Sequence, residues 1–144
     1  MTTDTLSTGT LRSQFNALKH SFQDTPYLPL EQRLALLKHV RANIVTLEQD
    51  LIAAVSKDFG YRTAFDTLVG DILPTMQGLA HIIKKLPRWS KPSHRSAGLS
   101  LWPSKVSVTY QPIGVVGVIA PWNYPIQLAI VPVITAIAAG NKVM

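Results

Sequence analysis

The residues best equipped for chemistry lie together in Gln111-Pro-Ile-Gly-Val-Val-Gly-Val-Ile-Ala-Pro-Trp-Asn-Tyr-Pro125, with Ala136-Ile-Ala-Ala-Gly-Asn141 following. Asn123 offers an amide NH₂ as a hydrogen-bond donor. Pro121 and Pro125 lack N–H donors and restrict φ, which predicts a loop held in one shape around Trp122, Asn123 and Tyr124. Residues 114–120 form a near-continuous apolar run, the pattern of a strand buried on both faces. A loop at the carboxyl end of such a strand is where α/β sheets bind ligands. Taken alone, the Pro-Trp-Asn turn has a second reading, with Asn123 as the N-cap of the helix that follows.

Other reactive groups are less well placed. His20, His39, His81 and His94 share no metal-ligand spacing, which leaves them on surfaces or helix faces and predicts no metal site. Asp66 and Asp71 are five residues apart, a poor separation for paired acid–base work on one helix face. The chain has no Cys, which excludes disulfides, cysteine-ligated metals and thiol nucleophiles within it. The net charge is +6, and its densest group is Lys84, Lys85, Arg88, Lys91, Arg95 and Lys105. Prolines and small residues separate these charges, so they read as a solvated helix end and loop and not as a nucleic-acid surface. Hydrophobic residues make up 47% and charged residues 15%, a balance that favours a packed core over disorder. The first nine residues have neither a basic start nor an apolar core, so they are no secretory signal, and a cytoplasmic protein is expected.

The elements that must position the loop can be read from periodicity. Leu11, Phe15, Leu18 and Phe22 define one helix face. A second helix, over 30–45, carries Leu34, Leu37, Val40 and Ile44 on one face and turns Arg33, Lys38 and Arg41 elsewhere. Thr46-Leu-Glu-Gln49 has the spacing of a capping box and predicts a new helix lined by Leu51, Val55 and Phe59, with Gly60 at its end. Thr63, with Asp66 three residues on, predicts another N-cap. Phe65, Leu68, Ile72, Leu79, Ile83 and Leu86 carry that helix toward Trp89, with a kink or break at Pro74. Residues 90–103 read as a loop, 106–110 as a half-exposed strand, 126–139 as a helix capped by Gly140-Asn141, and 142–144 as the start of another strand. Strand, loop, helix, strand is a βαβ unit. An uncharged stretch over 112–141 also suits a helical interaction module with a hydrophobic, membrane-associated tail. The two prolines and Asn123 in its middle argue against a membrane span.

The ordered block of Pro-x-Gly-Val-Val strand, Pro-Trp-Asn loop, apolar helix and Ala-Ala-Gly-Asn resembles the signature of the aldehyde dehydrogenase superfamily. The upstream helices, Lys91-Pro92 and Leu101-Trp-Pro-Ser-Lys105 are similar to its class 3 and coniferyl aldehyde dehydrogenase branch. The resemblance covers nearly the whole chain. It implies an α/β fold: N-terminal helices over 1–105, then, over 106–144, the first βαβ unit of a Rossmann-like cofactor-binding domain, truncated. It implies NAD or NADP as cofactor and an aldehyde, coniferaldehyde or another aromatic or aliphatic one, as the small-molecule substrate of a homo-oligomeric parent. In the family the residue matching Asn123 stabilises the oxyanion formed when a cysteine thiolate attacks the aldehyde. Residues matching Ile119, Ala120, Pro121 and Trp122 line the nicotinamide side of the cofactor cleft, and that matching Tyr124 faces the substrate tunnel. The family's cysteine, its general-base glutamate and its phosphate-cradling glycine turn follow later in family members and have no counterpart here, so the 144-residue chain is expected to be inactive by itself. The family's cofactor-binding lysine also falls later, which leaves Lys142 an ordinary strand or surface residue.

Overall fold

The computed structural model describes residues 8–144. The first seven, on which the reading of the N-terminus chiefly rests, lie outside the described residues. The chain is mostly helical with two small sheets. Its elements in order are α1 (Thr8–Asp24), α2 (Leu30–Thr46), α3 (Glu48–Phe59), α4 (Ala64–Thr67), a π-helical turn (Leu68–Ile72) and α5 (Leu73–Trp89). Then come β1 (Ser93–Arg95), a 3₁₀ turn (Leu99–Leu101), β2 (Val106–Val108), β3 (Val115–Val116), α6 (Pro125–Ala138) and β4 (Lys142–Val143).

The core lies where α2, α5 and α6 meet, with α3 packed against α2 and α4. Leu37 and Ile44 enter it from α2, Val55 from α3, and Ile72, Leu79, Ile82 and Leu86 from the π turn and α5. Ile126, Ile134 and Ala138 enter from α6. These are the periodic apolar positions of each helix, so burial of one stripe per helix is what holds the elements together. On α1, Leu18 and Phe22 are half-buried, whereas Leu11 and Phe15 stay largely exposed.

Several expectations need correction. Thr46 forms no capping box: its hydroxyl bonds back to the Ala42 carbonyl at 3.1 Å, and Leu47 joins α2 to α3 with no side-chain cap. A threonine in a last helical turn can satisfy its hydroxyl on the i−4 carbonyl, and here that wins. Thr63 does cap α4, accepting from the Asp66 N–H at 3.1 Å. Before Pro74 the helix neither stops nor simply kinks. It widens into the π turn, where the Leu73 N–H reaches the Leu68 carbonyl five residues back. The wider turn rotates the buried face, so Phe65 and Leu68 are exposed and a polar column, Thr67, Asp71 and Thr75, is fully buried in their place.

Arg33 does not turn away from the core. It is 4% exposed, donates from Nη1 to the Ala138 carbonyl at 2.7 Å and stacks over Tyr27. A cation there complements the negative end of α6. The segment read as loop contains β1, which pairs antiparallel with β2, Ser93 opposite Val108. All three β2 residues are exposed, not alternately buried. In the apolar run only Val115 and Val116 form a strand, half-buried rather than enclosed, because β4 is its one strand neighbour among the described residues.

β3 and β4 are parallel, with Val115 opposite Lys142 and Val116 opposite Val143, and α6 connects them. A Schellman motif closes α6: the Asn141 N–H reaches the Ala136 carbonyl at 3.0 Å and the Gly140 N–H reaches that of Ile137 at 2.9 Å. Gly140 makes this possible with φ 92°, a conformation glycine adopts without steric cost. The Asn141 side chain then ties the helix end to the strand start. Its Oδ1 accepts from Ile113 N at 2.8 Å and Gly114 N at 3.1 Å, while Nδ2 donates to the Ala136 carbonyl at 3.2 Å.

Candidate active site

The loop of interest connects β3 to α6. The ladder runs past β3 as far as Val118, whose N–H bonds the Met144 carbonyl at 2.8 Å. Beyond that point the backbone leaves the sheet and its side chains face outward. Ile119 is 99% exposed, and Ala120, Pro121 and Asn123 are exposed as well. Trp122 is 78% exposed, with its ring 6.1 Å from that of Phe59. Asp58, Phe59, Tyr61, Trp122 and Pro125 line an open cleft of about 410 Å³ beside the loop.

The start of α6 is capped in an unexpected way. Tyr124, not Asn123, occupies its N-cap position, and it makes no side-chain cap bond. The Gln127 N–H, one of the amides a helix leaves unpaired in its first turn, instead donates to Asp71 Oδ1 at 2.9 Å. Asp71 comes from the π turn and is fully buried. A carboxylate here satisfies the orphan donor and meets the positive end of the helix dipole. The Asn123 carboxamide, one residue before the cap position, has no hydrogen-bond partner among the described residues, and the residue is exposed.

Arg62 holds the other side of the loop. It follows Gly60, which ends α3 with φ 74°, and precedes the α4 cap Thr63. Its Nη1 donates to the Asn123 backbone carbonyl at 2.8 Å. Its Nη2 lies 3.5 Å from Asp71 Oδ2, which accepts no hydrogen bond, so that pair is a charge contact. The guanidinium sits between two rings, 4.9 Å from the centroid of Phe59 and 4.8 Å from that of Tyr124. Gly70 lets Tyr124 approach: a Cβ there would lie 2.8 Å from the ring's Cε1.

The candidate residues therefore fall into two groups. Trp122, the Asn123 carbonyl and Tyr124 gather around Phe59 and Arg62, whereas Ile119, Ala120 and Pro121 form an exposed strip leading from the strand. Asp66 and Asp71 part company, one exposed at the α4 cap and the other buried under α6. Sequence reasoning missed Arg62, Asp71 and Gly70 as supports of the loop. The available signal was the four-residue spacing of Thr67, Asp71 and Thr75, a polar column on a helix otherwise patterned for a core. Lys142 stands in β4 opposite Val115.

Among known proteins, the Aldehyde dehydrogenase family model matches residues 5–144. A relative named "Probable coniferyl aldehyde dehydrogenase" from Pseudomonas aeruginosa is 40% identical over 134 residues, covering 93% of this chain and 28% of the relative. "Aldehyde dehydrogenase family 3 member H1" of Arabidopsis thaliana is 32% identical over 127 residues, covering 88% of this chain and 26% of its own length. Among solved structures, the substrate-bound state of Staphylococcus aureus AldH superposes with a TM-score of 0.87 at 30% identity, over 92% of this chain and 29% of that one. The chain thus spans about a quarter of the length of the relatives it matches.

Proposed function

The chain belongs to the aldehyde dehydrogenase family, and from that premise we propose that it is the N-terminal part of an NAD(P)-dependent enzyme oxidising an aldehyde to a carboxylic acid. Coniferaldehyde, or a related aromatic or aliphatic aldehyde, is the proposed substrate, in keeping with the names of its relatives. The observation that carries the reading is the free Asn123 carboxamide, exposed beside an aromatic cleft on a loop whose helix is capped by another residue. An unpaired NH₂ on a held loop can meet charge as it develops on a carbonyl oxygen without first breaking a hydrogen bond inside the protein.

Residues 106–144 are proposed as the start of a Rossmann-like cofactor-binding region, packed against the helical region 1–105. Ile119, Ala120, Pro121 and Trp122 fit one face of a nicotinamide ring: they are exposed, largely apolar and placed where the backbone leaves the carboxyl end of β3. They offer no grip for the cofactor's phosphates. When bound, the cofactor supplies the hydride acceptor. The work of these residues is to present a flat apolar wall, Asn123 donates to the aldehyde oxygen, and Tyr124 borders the path of the substrate. The parent is proposed to be a cytoplasmic homo-oligomer. No helix of the described residues is long and apolar enough to cross a membrane.

Two measurements test the proposal. The purified 144-residue chain, which has no Cys, is expected to give no aldehyde-dependent cofactor reduction above a buffer blank. In the full-length enzyme, Asn123→Ala is expected to slow the acylation step by on the order of a hundredfold. An unchanged acylation rate would remove Asn123 from the chemistry.

A further inference from the structure

The oxyanion reading depends on Asn123 pointing one way, yet its side chain makes no bond that would hold it there. The constraint comes from elsewhere. The segment from Asn123 to Gln127 is gripped at both ends by two residues distant in sequence. Arg62 holds the Asn123 carbonyl at 2.8 Å, and Asp71 holds the Gln127 N–H at 2.9 Å. Arg62 and Asp71 also face each other at 3.5 Å, with side chains 9% and 0% exposed, so the two grips form one unit. Fixing the direction of a residue's carbonyl fixes its ψ, and Pro121 and Pro125 restrict the backbone on either side. The Asn123 Cα–Cβ direction follows from these constraints, and the carboxamide is left free to donate.

We propose that Arg62 is a positioning residue for Asn123, acting on the reaction through the loop without touching the substrate. The residue type fits the task. A guanidinium is flat, so it can lie between the Phe59 and Tyr124 rings, 4.9 and 4.8 Å from their centroids, and still turn one nitrogen to the Asn123 carbonyl and the other to the Asp71 charge. A lysine ammonium carries the same charge at a single point and lacks the flat fork that fills the space between two rings while reaching two partners. Since Gly70 admits the Tyr124 ring, the stack over Arg62 and the path beside Tyr124 are set by the same contact.

The proposal rests on the oxyanion reading of Asn123, and its test separates the two. In the full-length enzyme, Arg62→Lys and Arg62→Ala are made in the native and in the Asn123→Ala backgrounds, and the acylation rate and aldehyde KM are measured for each. A displacement of the donor by about 1 Å costs up to a hundredfold. Arg62→Lys is therefore expected to lower the acylation rate tenfold or more, with KM changed far less, and to change it less than about twofold once Asn123 is alanine. Equal losses in both backgrounds would overturn the proposal, because Arg62 would then be acting through general stability. Arg62→Lys keeps the charge and the side-chain stem, which guards against a result caused by misfolding. A second readout does not use activity. With every tryptophan of the full-length enzyme other than Trp122 changed to Phe, Trp89 and Trp102 included, the fluorescence anisotropy of Trp122 reports the freedom of the loop. It is expected to fall in both Arg62 variants, and an unchanged value would overturn the proposed grip. If Asn123→Ala itself leaves acylation intact while Trp122 is loosened, the oxyanion reading fails and the grip of Arg62 on the loop stands.

Discussion

Replacing Asp71 by alanine should be among the most damaging single changes in this chain. The carboxylate is fully buried and has two partners, the Gln127 N–H at 2.9 Å and the Arg62 guanidinium at 3.5 Å. Removing it strands a cation whose side chain is nine-tenths buried, a loss typically worth about 3–5 kcal/mol. It also leaves a first-turn amide of α6 without an acceptor, and an unsatisfied buried donor costs about 1–3 kcal/mol. The two losses share one site and do not simply add, so about 4 kcal/mol is the working figure. With a urea m-value of about 2 kcal/mol per molar, the unfolding midpoint should fall by about 2 M. Asp71→Asn keeps an acceptor for Gln127 and loses only the charge, so it should fall between Asp71→Ala and the native chain. Asp66→Ala, on the surface of the same helix, should move the midpoint by an amount on the order of 0.5 kcal/mol. The measurement is loss of helical circular dichroism in urea at one protein concentration, since association adds a concentration-dependent contribution to any midpoint. If Asp71→Ala unfolds at the native midpoint, Asp71 is not holding α6 and does not anchor the loop.

Three further outcomes follow from the same contacts. Gly70→Ala places a Cβ 2.8 Å from Tyr124 Cε1, so the ring must shift against Arg62; a loss of about 1–3 kcal/mol and a changed aldehyde KM in the full-length enzyme are expected, and an unaltered KM with native stability would count against this packing. Asn141→Ala removes three hydrogen bonds that join the end of α6 to the start of β3, for about 2–4 kcal/mol, whereas Asn141→Asp keeps both accepting contacts and should cost less; equal urea midpoints for the two variants would refute that division. The chain exposes 10424 Å², against about 7,300 Å² for a compact monomer of this length, so it should self-associate and elute ahead of a monomer in size-exclusion chromatography; a monodisperse monomer with one sharp thermal transition would show the exposed faces to be tolerated.

What could be read from the sequence, and what could not, divides by the range of the interaction. The helices were legible because their apolar residues recur within a few positions, and Leu37, Ile44, Val55, Leu79 and Leu86 are buried where that spacing puts them. The caps at Thr63 and Gly140 were legible for the same reason, since both close on residues within five positions. Thr46 shows the limit even at short range: two local bonds competed for one hydroxyl, and the pattern could not rank them. Arg33 and Arg62 were beyond such reasoning, because their acceptors lie 105 and 61 residues further on. The spacing of α2 turns Arg33 away from its apolar face, and only the carbonyl end of α6 gives that residue a reason to be inside. The π turn compounds this by rotating the helix face, replacing Phe65 and Leu68 in the interior with Thr67 and Asp71. For the candidate site, the consequence runs in one direction. The residues that resemble a catalytic loop are contiguous and could be found by inspection, but the N-cap of α6 falls one residue after Asn123, and the first-turn amide of that helix is satisfied by an aspartate 52 positions before Asn123. A cap would have engaged the Asn123 Oδ1 and tied the carboxamide to the helix end; here α6 finds its acceptor in Asp71, and the Asn123 carboxamide stays exposed with its NH₂ free to donate.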